Sequence, residues 1–257
     1  MPTPPVLRVV EREMRVFARL WRSAVFSTFL APVLWLAAMG LGLGGLVKEH
    51  TGKVAGLSYL DFVAPGLLVA SAMSIAANES MWPVLGAVKW VKNFYATIST
   101  SISSDELMLG YVIWIAIRAT LGSLAFFIVA VLLGAVPSAW GVLAIPASAL
   151  CAAAFSAPLT AYSISVESDL VFPVIMRIAV LPLTLFSGTF FPIAQLPGWL
   201  RPFAAISPLW HGVELARHAT TGSLHVWADL LHVLVLVACL GAGLLWGRRT
   251  FARRLTA

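Results

Sequence analysis

Charge is scarce in this chain. Asp, Glu, Lys and Arg together make up 11% of 257 residues, while apolar side chains make up 60%. Soluble domains carry about 25% charged residues, so the chain is read as an integral membrane protein forming one domain of several spans. No soluble domain fits beside it. Cysteine is also rare: Cys151 and Cys239 both sit in apolar runs, which reads as buried thiols and excludes a disulfide framework. No G-x-x-x-x-G-K-[ST] run occurs, so the usual nucleotide cradle is missing. No hydrolytic constellation stands out either. The first apolar run follows a charged segment too long for the n-region of a cleavable signal, and is itself long enough to span.

The few charges delimit the helices. No charged residue lies between Arg22 and Lys48, which predicts a first span over 25–46. Asp61 and Glu79 bracket a second over 60–81. Between Glu106 and Glu167 the one charge is Arg118, and the Pro137-Ser138 turn divides that stretch into spans over 107–134 and 140–164. A fifth is predicted over 171–190 and a sixth over 229–247. The count is six, or five if the proline-rich segment is misread.

With six spans, Arg8, Arg12, Arg15, Arg19, Arg22, Lys89, Lys92, Arg248, Arg249, Arg253 and Arg254 share one side, eleven basic residues against four (Lys48, Lys53, Arg201, Arg217) on the other. The positive-inside bias puts both termini in the cytoplasm. The formal charge of +6 thereby follows from topology, and nucleic acid is an unnecessary partner. The five N-terminal arginines step by four, three, four and three residues, one face of a helix. Val6, Val9, Val10, Phe17 and Trp21 supply apolar surface beside them, so 5–22 reads as an amphipathic helix on the membrane surface. It serves either as a topology anchor or to hold a cytoplasmic partner.

Proline breaks the most informative segment. Pro182, Pro192 and Pro197 interrupt an apolar run from Phe186 to Trp199 that is otherwise long enough to enter a bilayer. Irregular backbone survives at membrane depth only where protein or water satisfies it, which points to a conduction path or its external gate. Between Val84 and Glu106, Val91, Phe94, Tyr95 and Ile98 recur at three- and four-residue steps beside Lys89 and Lys92. That pattern predicts a short amphipathic helix at the surface, either an aromatic anchor or a knob gripped by a cytoplasmic protein.

Other candidates are weighed individually. Arg118 sits within a span, and the nearest acid on its own helix, Glu106, is about 18 Å back along the axis. A charge there costs about 2.5–3.5 kcal/mol on insertion scales, so it needs a partner or water. Glu79, Glu167 or a carbonyl would supply a structural pairing, and an anionic group of a transported molecule a functional one. His211, Glu214 and His218 share a helical face, with His225 and His232 at seven-residue steps. These are expected to be hydrogen-bonded or interfacial histidines, not metal ligands, because Gly222 interrupts the helix and the i, i+4 histidine pair of compact sites is missing. Gly42, Gly44 and Gly45 read as close helix packing.

Ser187-Gly188, Phe191-Pro192, Gln195-Leu196-Pro197 and Pro208-Leu209 with His211 resemble the corresponding run of ABC-2 type permeases. Pro32, Leu57-Ser58-Tyr59 with Phe62, Pro65-Gly66, Glu106-Leu107 and Leu109-Gly110 extend the likeness in matching order over most of the chain. The nearest likeness is to nodulation-factor (lipo-oligosaccharide) export permeases, and more loosely to drug and polysaccharide export permeases. The resemblance implies an all-α membrane fold of six spans with an N-terminal interfacial helix, as in type V exporters. It further implies a coupling helix within 88–103 and a re-entrant helical hairpin, 191–220, between the fifth and sixth spans. Two such subunits would join two copies of a separate ATPase that binds ATP and Mg; this chain itself would hold no cofactor and no enzyme site. On that basis Trp90, Val91, Phe94, Tyr95 and Ile98 are expected at the ATPase contact. Trp35, Arg118, Phe186, Phe190 and Phe191 are expected along the path of an amphiphilic substrate. Pro192, Gln195, Pro197, Pro208 and His211 are expected to form the re-entrant gate. One departure stands out: many relatives have a proline inside the coupling segment, whereas none lies here between Pro83 and Pro137.

The rival readings are a secondary transporter and a non-transporting membrane scaffold. The first would need coupling charges near the midplane, for which Arg118 is the one candidate.

Overall fold

The computed structural model describes residues 4–44 and 53–256. Among them the chain is helical, with no strand beyond an isolated Val54–Leu57 bridge. Helix α1 runs from Pro5 to Ala37 and continues as a π-helix through Ala38–Leu43. Pro5 suits the first helical turn, and no Gly or Pro follows until Pro32, so nothing stops the helix at 22. The expected surface helix and first span are therefore one element; the end of that span, 45 and 46, lies outside the described residues.

Helix α2, Tyr59–Lys89, is capped by the Ser58 side chain and carries Pro65 and Pro83 internally. A short helix α3, Asn93–Ile98, follows. Helix α4, Ser104–Leu132, opens on a capping box in which Ser103 and Glu106 satisfy each other's backbone amides. A 3₁₀ turn, Ala139–Leu143, leads into α5, Ala144–Ser163. Helix α6, Asp169–Phe186, contains a π-helical stretch at Met176–Val180, next to Pro173 and Pro182. Two short helices, α7 (Arg201–Ile206) and α8 (Pro208–Thr221), precede the long α9, Val226–Leu255. Five of these elements (α2, the stretch Ala139–Ser163 ending in α5, α4, α6 and α9) are long and apolar enough to cross a membrane. The chain is a multi-pass membrane protein.

Helix α2 is the centre, buried on most of its faces against α4, α5 and α8. The start of α1 and the end of α9 lie at one end of the bundle. Val9 packs on Gly110 near the start of α4, Arg12 reaches Thr97 of α3, and Arg248 of α9 bonds Asp105. The α4–α5 connection marks the far end, where the Ser138 amide donates to the Thr220 carbonyl of α8. The other end of α8 is deeper: the Cys151 thiol, seven residues into α5, lies 3.6 Å from the Pro208 carbonyl. Helix α8 is thus wedged between α2, α5 and α9.

Candidate functional site

A chamber of about 470 Å³ opens between α1, α2, α4 and α6. Its wall includes Trp35, Leu67, Ser71, Arg118, Phe126 and Phe190. The Trp35 and Phe190 rings lie 6.5 Å apart across it. Arg118 is held at the rim by Glu79 of α2, with nitrogen and oxygen 3.4 Å apart, and by the Phe17 ring 4.2 Å below the guanidinium. The pair is long and both side chains are partly open, so Arg118 keeps donors for a further acceptor. Three of the five residues expected on a substrate path, Trp35, Arg118 and Phe190, therefore meet in one space. Phe186, exposed at the end of α6, and half-buried Phe191 do not line it.

The broken segment beside the chamber is held by an arginine that the sequence assigned to the re-entrant segment 191–220 without a role. Helix α6 ends because Gly188 adopts φ of 77°, a left-handed conformation natural to glycine. Arg217 of α8 is buried and donates to the Gly188 carbonyl at 2.6 Å, to the Phe62 carbonyl at 3.3 Å and to Glu214 at 2.6 Å. Its guanidinium also stacks 3.9 Å from the Phe62 ring. Next to Gly188, the Ser187 and Ser207 hydroxyls meet at 2.9 Å. Gly66 of α2 lets the turn approach: a Cβ there would lie 2.8 Å from the Thr189 carbonyl oxygen. One signal could have revealed Arg217, namely its i, i+3 spacing from Glu214.

Of the expected gate residues, Pro192 and Pro208 are half-buried, Gln195 and Pro197 exposed, and His211 buried. Arg201 braces the loop by donating to the Leu196 and Ala194 carbonyls at 2.9 and 2.6 Å. His211 does not join the gate loop. Its Nδ1 faces Nδ1 of His232 at 2.7 Å, one ring donating and the other accepting, with Trp210 against both rings. His218 bonds Asp229 at 2.6 Å and meets the His225 ring edge-on, 5.4 Å between centroids. The histidines fasten α8 to α9. Among the described residues no group of three or more His, Cys, Asp or Glu could hold a metal ion.

At the end where the start of α1 and the end of α9 lie, α3 presents a face. Trp90 and Val91 are 59% and 69% exposed, while Tyr95 and Ile98 are half-buried. Phe94 is 0% exposed, packed between the Tyr111 ring at 5.5 Å and the Phe251 ring at 6.0 Å. The five residues expected at a docking surface thus divide into an outer pair, a flank and a buried anchor. Lys92 turns the chain between α2 and α3 in a left-handed conformation, φ 55°.

Chain comparisons identify the kind of membrane bundle this is. The model of the ABC-2 type transporter family matches residues 6–220. Nodulation protein J of Bradyrhizobium diazoefficiens is 31% identical over 226 residues, covering 84% of this chain and 84% of that protein. Nodulation protein J of Rhizobium leguminosarum bv. viciae is 28% identical over 225 residues, covering 84% and 85%. The inner membrane transport permease YadH of Escherichia coli is 22% identical over 218 residues, covering 82% and 80%. A family match across most of the chain, a relative above 30% identity and a bundle of apolar helices converge: the chain belongs to the ABC-2 type transporter family.

Proposed function

We propose that this chain is the membrane-spanning subunit of an exporter that moves an amphiphile out of the cytoplasm, driven by a separate ATPase. The amphiphile is a lipid-linked saccharide, a glycolipid or a hydrophobic drug. The observation that carries this reading is the relation between the chamber and the α3 face. Helices α2 and α4 line the chamber at Leu67 and Phe126, and each continues unbroken to flank α3 at the other end. From Leu67 to Trp90 the rise is about 35 Å at 1.5 Å per residue. A push on α3 is therefore transmitted by stiff helices to the chamber wall.

In this reading Trp90 and Val91 make the outermost contact with the ATPase, Tyr95 and Ile98 flank it, and Phe94 anchors α3 from behind. ATP and Mg stay on that partner. Trp35 and Phe190 hold the apolar part of the substrate, and Arg118 meets an anionic or hydroxyl-bearing part. Phe186 and Phe191 flank the exit, while Pro192, Gln195, Pro197 and the α7–α8 pair form the re-entrant gate, with His211 at its base. Helix α1 supplies the sixth crossing in its apolar half and lies at the cytoplasmic headgroups in its arginine-bearing half. Both termini are then cytoplasmic, in a bacterial inner membrane. A second copy of the chain, or a homologous permease, completes the path. It packs on the apolar stripe Leu170, Val174, Ile178, Leu181 and Leu185, which α6 leaves exposed.

Copurification with a P-loop ATPase encoded beside it tests the reading. Lipids, glycolipids and drugs are then screened for stimulation of ATP hydrolysis. Stable association with stimulation by an amphiphile is expected, and hydrolysis indifferent to every amphiphile and to the permease would overturn it.

A further inference from the structure

We propose that a basic pocket at the end of the bundle that carries the start of α1 and the end of α9 binds a phosphate group. The pocket, about 450 Å³, is lined by Val88, Lys89, Lys92, Tyr95 and Arg254. It draws on three elements far apart in sequence (the end of α2, α3 and the last turn of α9), so its cations converge through the fold and not as a run of charge.

Each cation has donors to spare. Lys89 donates to the Glu167 carbonyl at 2.5 Å, which uses one of three ammonium protons. Lys92 is exposed and forms no ion pair among the described residues. Arg254 bonds Glu167 through Nη1 at 2.5 Å, which uses one of five guanidinium protons. Tyr95 adds a hydroxyl, whose proton is directed to the Arg254 carbonyl at 3.3 Å, so its oxygen can accept but has little left to donate. Among the described residues Glu167 is the one carboxylate touching the cluster, and it is already engaged, which leaves a local excess of positive charge. An anion with three or four oxygens can give each of three cations its own oxygen, where a carboxylate has two oxygens to share. The lysines act as point charges and the guanidinium as the fixed donor. The left-handed backbone at Lys92 is uncommon for a non-glycine residue, and it is what turns α3 back beneath α2 to close the pocket.

Two sources carry this chemistry, the phosphate of an anionic membrane lipid and free phosphate. Lysine, arginine and tyrosine at the end of apolar helices suit the headgroup level. The inference does not rest on the exporter reading, because the permease is assayed without an ATPase.

Native mass spectrometry of the detergent-purified full chain tests it, with short-chain phosphatidylglycerol, short-chain phosphatidylcholine and inorganic phosphate titrated separately and in competition. The double substitution Lys89→Gln/Lys92→Gln is expected to weaken phosphatidylglycerol binding about thirtyfold, at about fivefold for each residue. Arg249→Gln/Arg253→Gln removes the same charge from exposed positions outside the pocket and is expected to change it less than threefold. Lys92→Arg, which keeps the charge, stays within threefold of wild type, and thermal midpoints of all variants separate binding from folding. Phosphatidylglycerol that inorganic phosphate fails to displace identifies the lipid headgroup as the ligand, and displacement at equal concentration identifies free phosphate. Equal weakening by the two double substitutions would overturn the site. So would binding of a phosphate-free acidic peptide more tightly than either phosphate ligand.

Discussion

The Arg217 guanidinium donates to the Gly188 carbonyl at 2.6 Å, joining the middle of α8 to the turn that ends α6. The same side chain holds Glu214 and the Phe62 carbonyl of α2. One buried cation thus fixes three elements around the irregular backbone, and it satisfies the Gly188 carbonyl, which lies beyond the end of α6.

Arg217→Ala removes that link and leaves Glu214 without its cation, a loss of about 3–5 kcal/mol for a broken buried pair. The expected result is a large fall in the thermal midpoint of the solubilised protein. Arg217→Lys is expected to recover little of it, because an ammonium cannot fork to two carbonyls and a carboxylate in one plane. Differential scanning fluorimetry on the three proteins checks both statements.

Gly66→Ala pushes a methyl group to 2.8 Å from the Thr189 carbonyl oxygen, which must shift the turn away from α2. Overpacking of this kind costs about 1–3 kcal/mol. Gly241→Ala, inside α9, meets nothing within 4 Å and is expected to raise stability by about 0.5–1 kcal/mol. Comparing the two melting curves separates a close approach from a general intolerance of alanine.

Phe94 and Trp90 should fail in different ways. Phe94→Ala empties a buried aromatic site between Tyr111 and Phe251 and is expected to cost about 3–5 kcal/mol. Trp90→Ala/Val91→Ala touches exposed side chains; folding and membrane insertion are retained while substrate-stimulated ATP hydrolysis by the assembled complex falls several-fold. Melting and ATPase assays on the same preparations distinguish an anchor from a contact.

Glu167 ties the α5–α6 loop to α9. The Arg254 hydrogen bond, and then its charge, hold the Glu167 carboxyl below its ordinary value. A lowered folded value means the tie contributes fully above the ordinary carboxylate range and is lost as pH falls through the lowered value. Amide exchange in the 164–168 loop is therefore expected to be flat in protection between pH 6 and 8. Glu167→Gln is expected to raise exchange there at pH 7.

The spans were legible from where charge is absent, since a bilayer tolerates few charges and the gaps between them set the helices. Their ends were less so. Helix α2 runs past Glu79 to Lys89 and α9 past Arg248 to Leu255, because helices continue beyond the apolar core where polar residues still bond their own backbone. The aromatic pair Trp35 and Phe190 could be named, but 155 positions separate them, and their meeting depends on how α1 and α6 pack. Arg217 could be assigned to the re-entrant segment but not given its role, because hydropathy registers a charge and not its partners. Its burial is decided by two carbonyls and a carboxylate that only the folded chain brings together.

The account rests on an ATPase driving an amphiphile through this chain. Its most direct test is transport in proteoliposomes that hold the copurified complex with nucleotide sites outward, loaded with a fluorescent lipid-linked saccharide or glycolipid. Accumulation of the amphiphile on the inner side that requires ATP, and that is lost in Trp90→Ala/Val91→Ala, is the predicted result. Movement at the same rate without ATP, or in vesicles holding the permease alone, would contradict it.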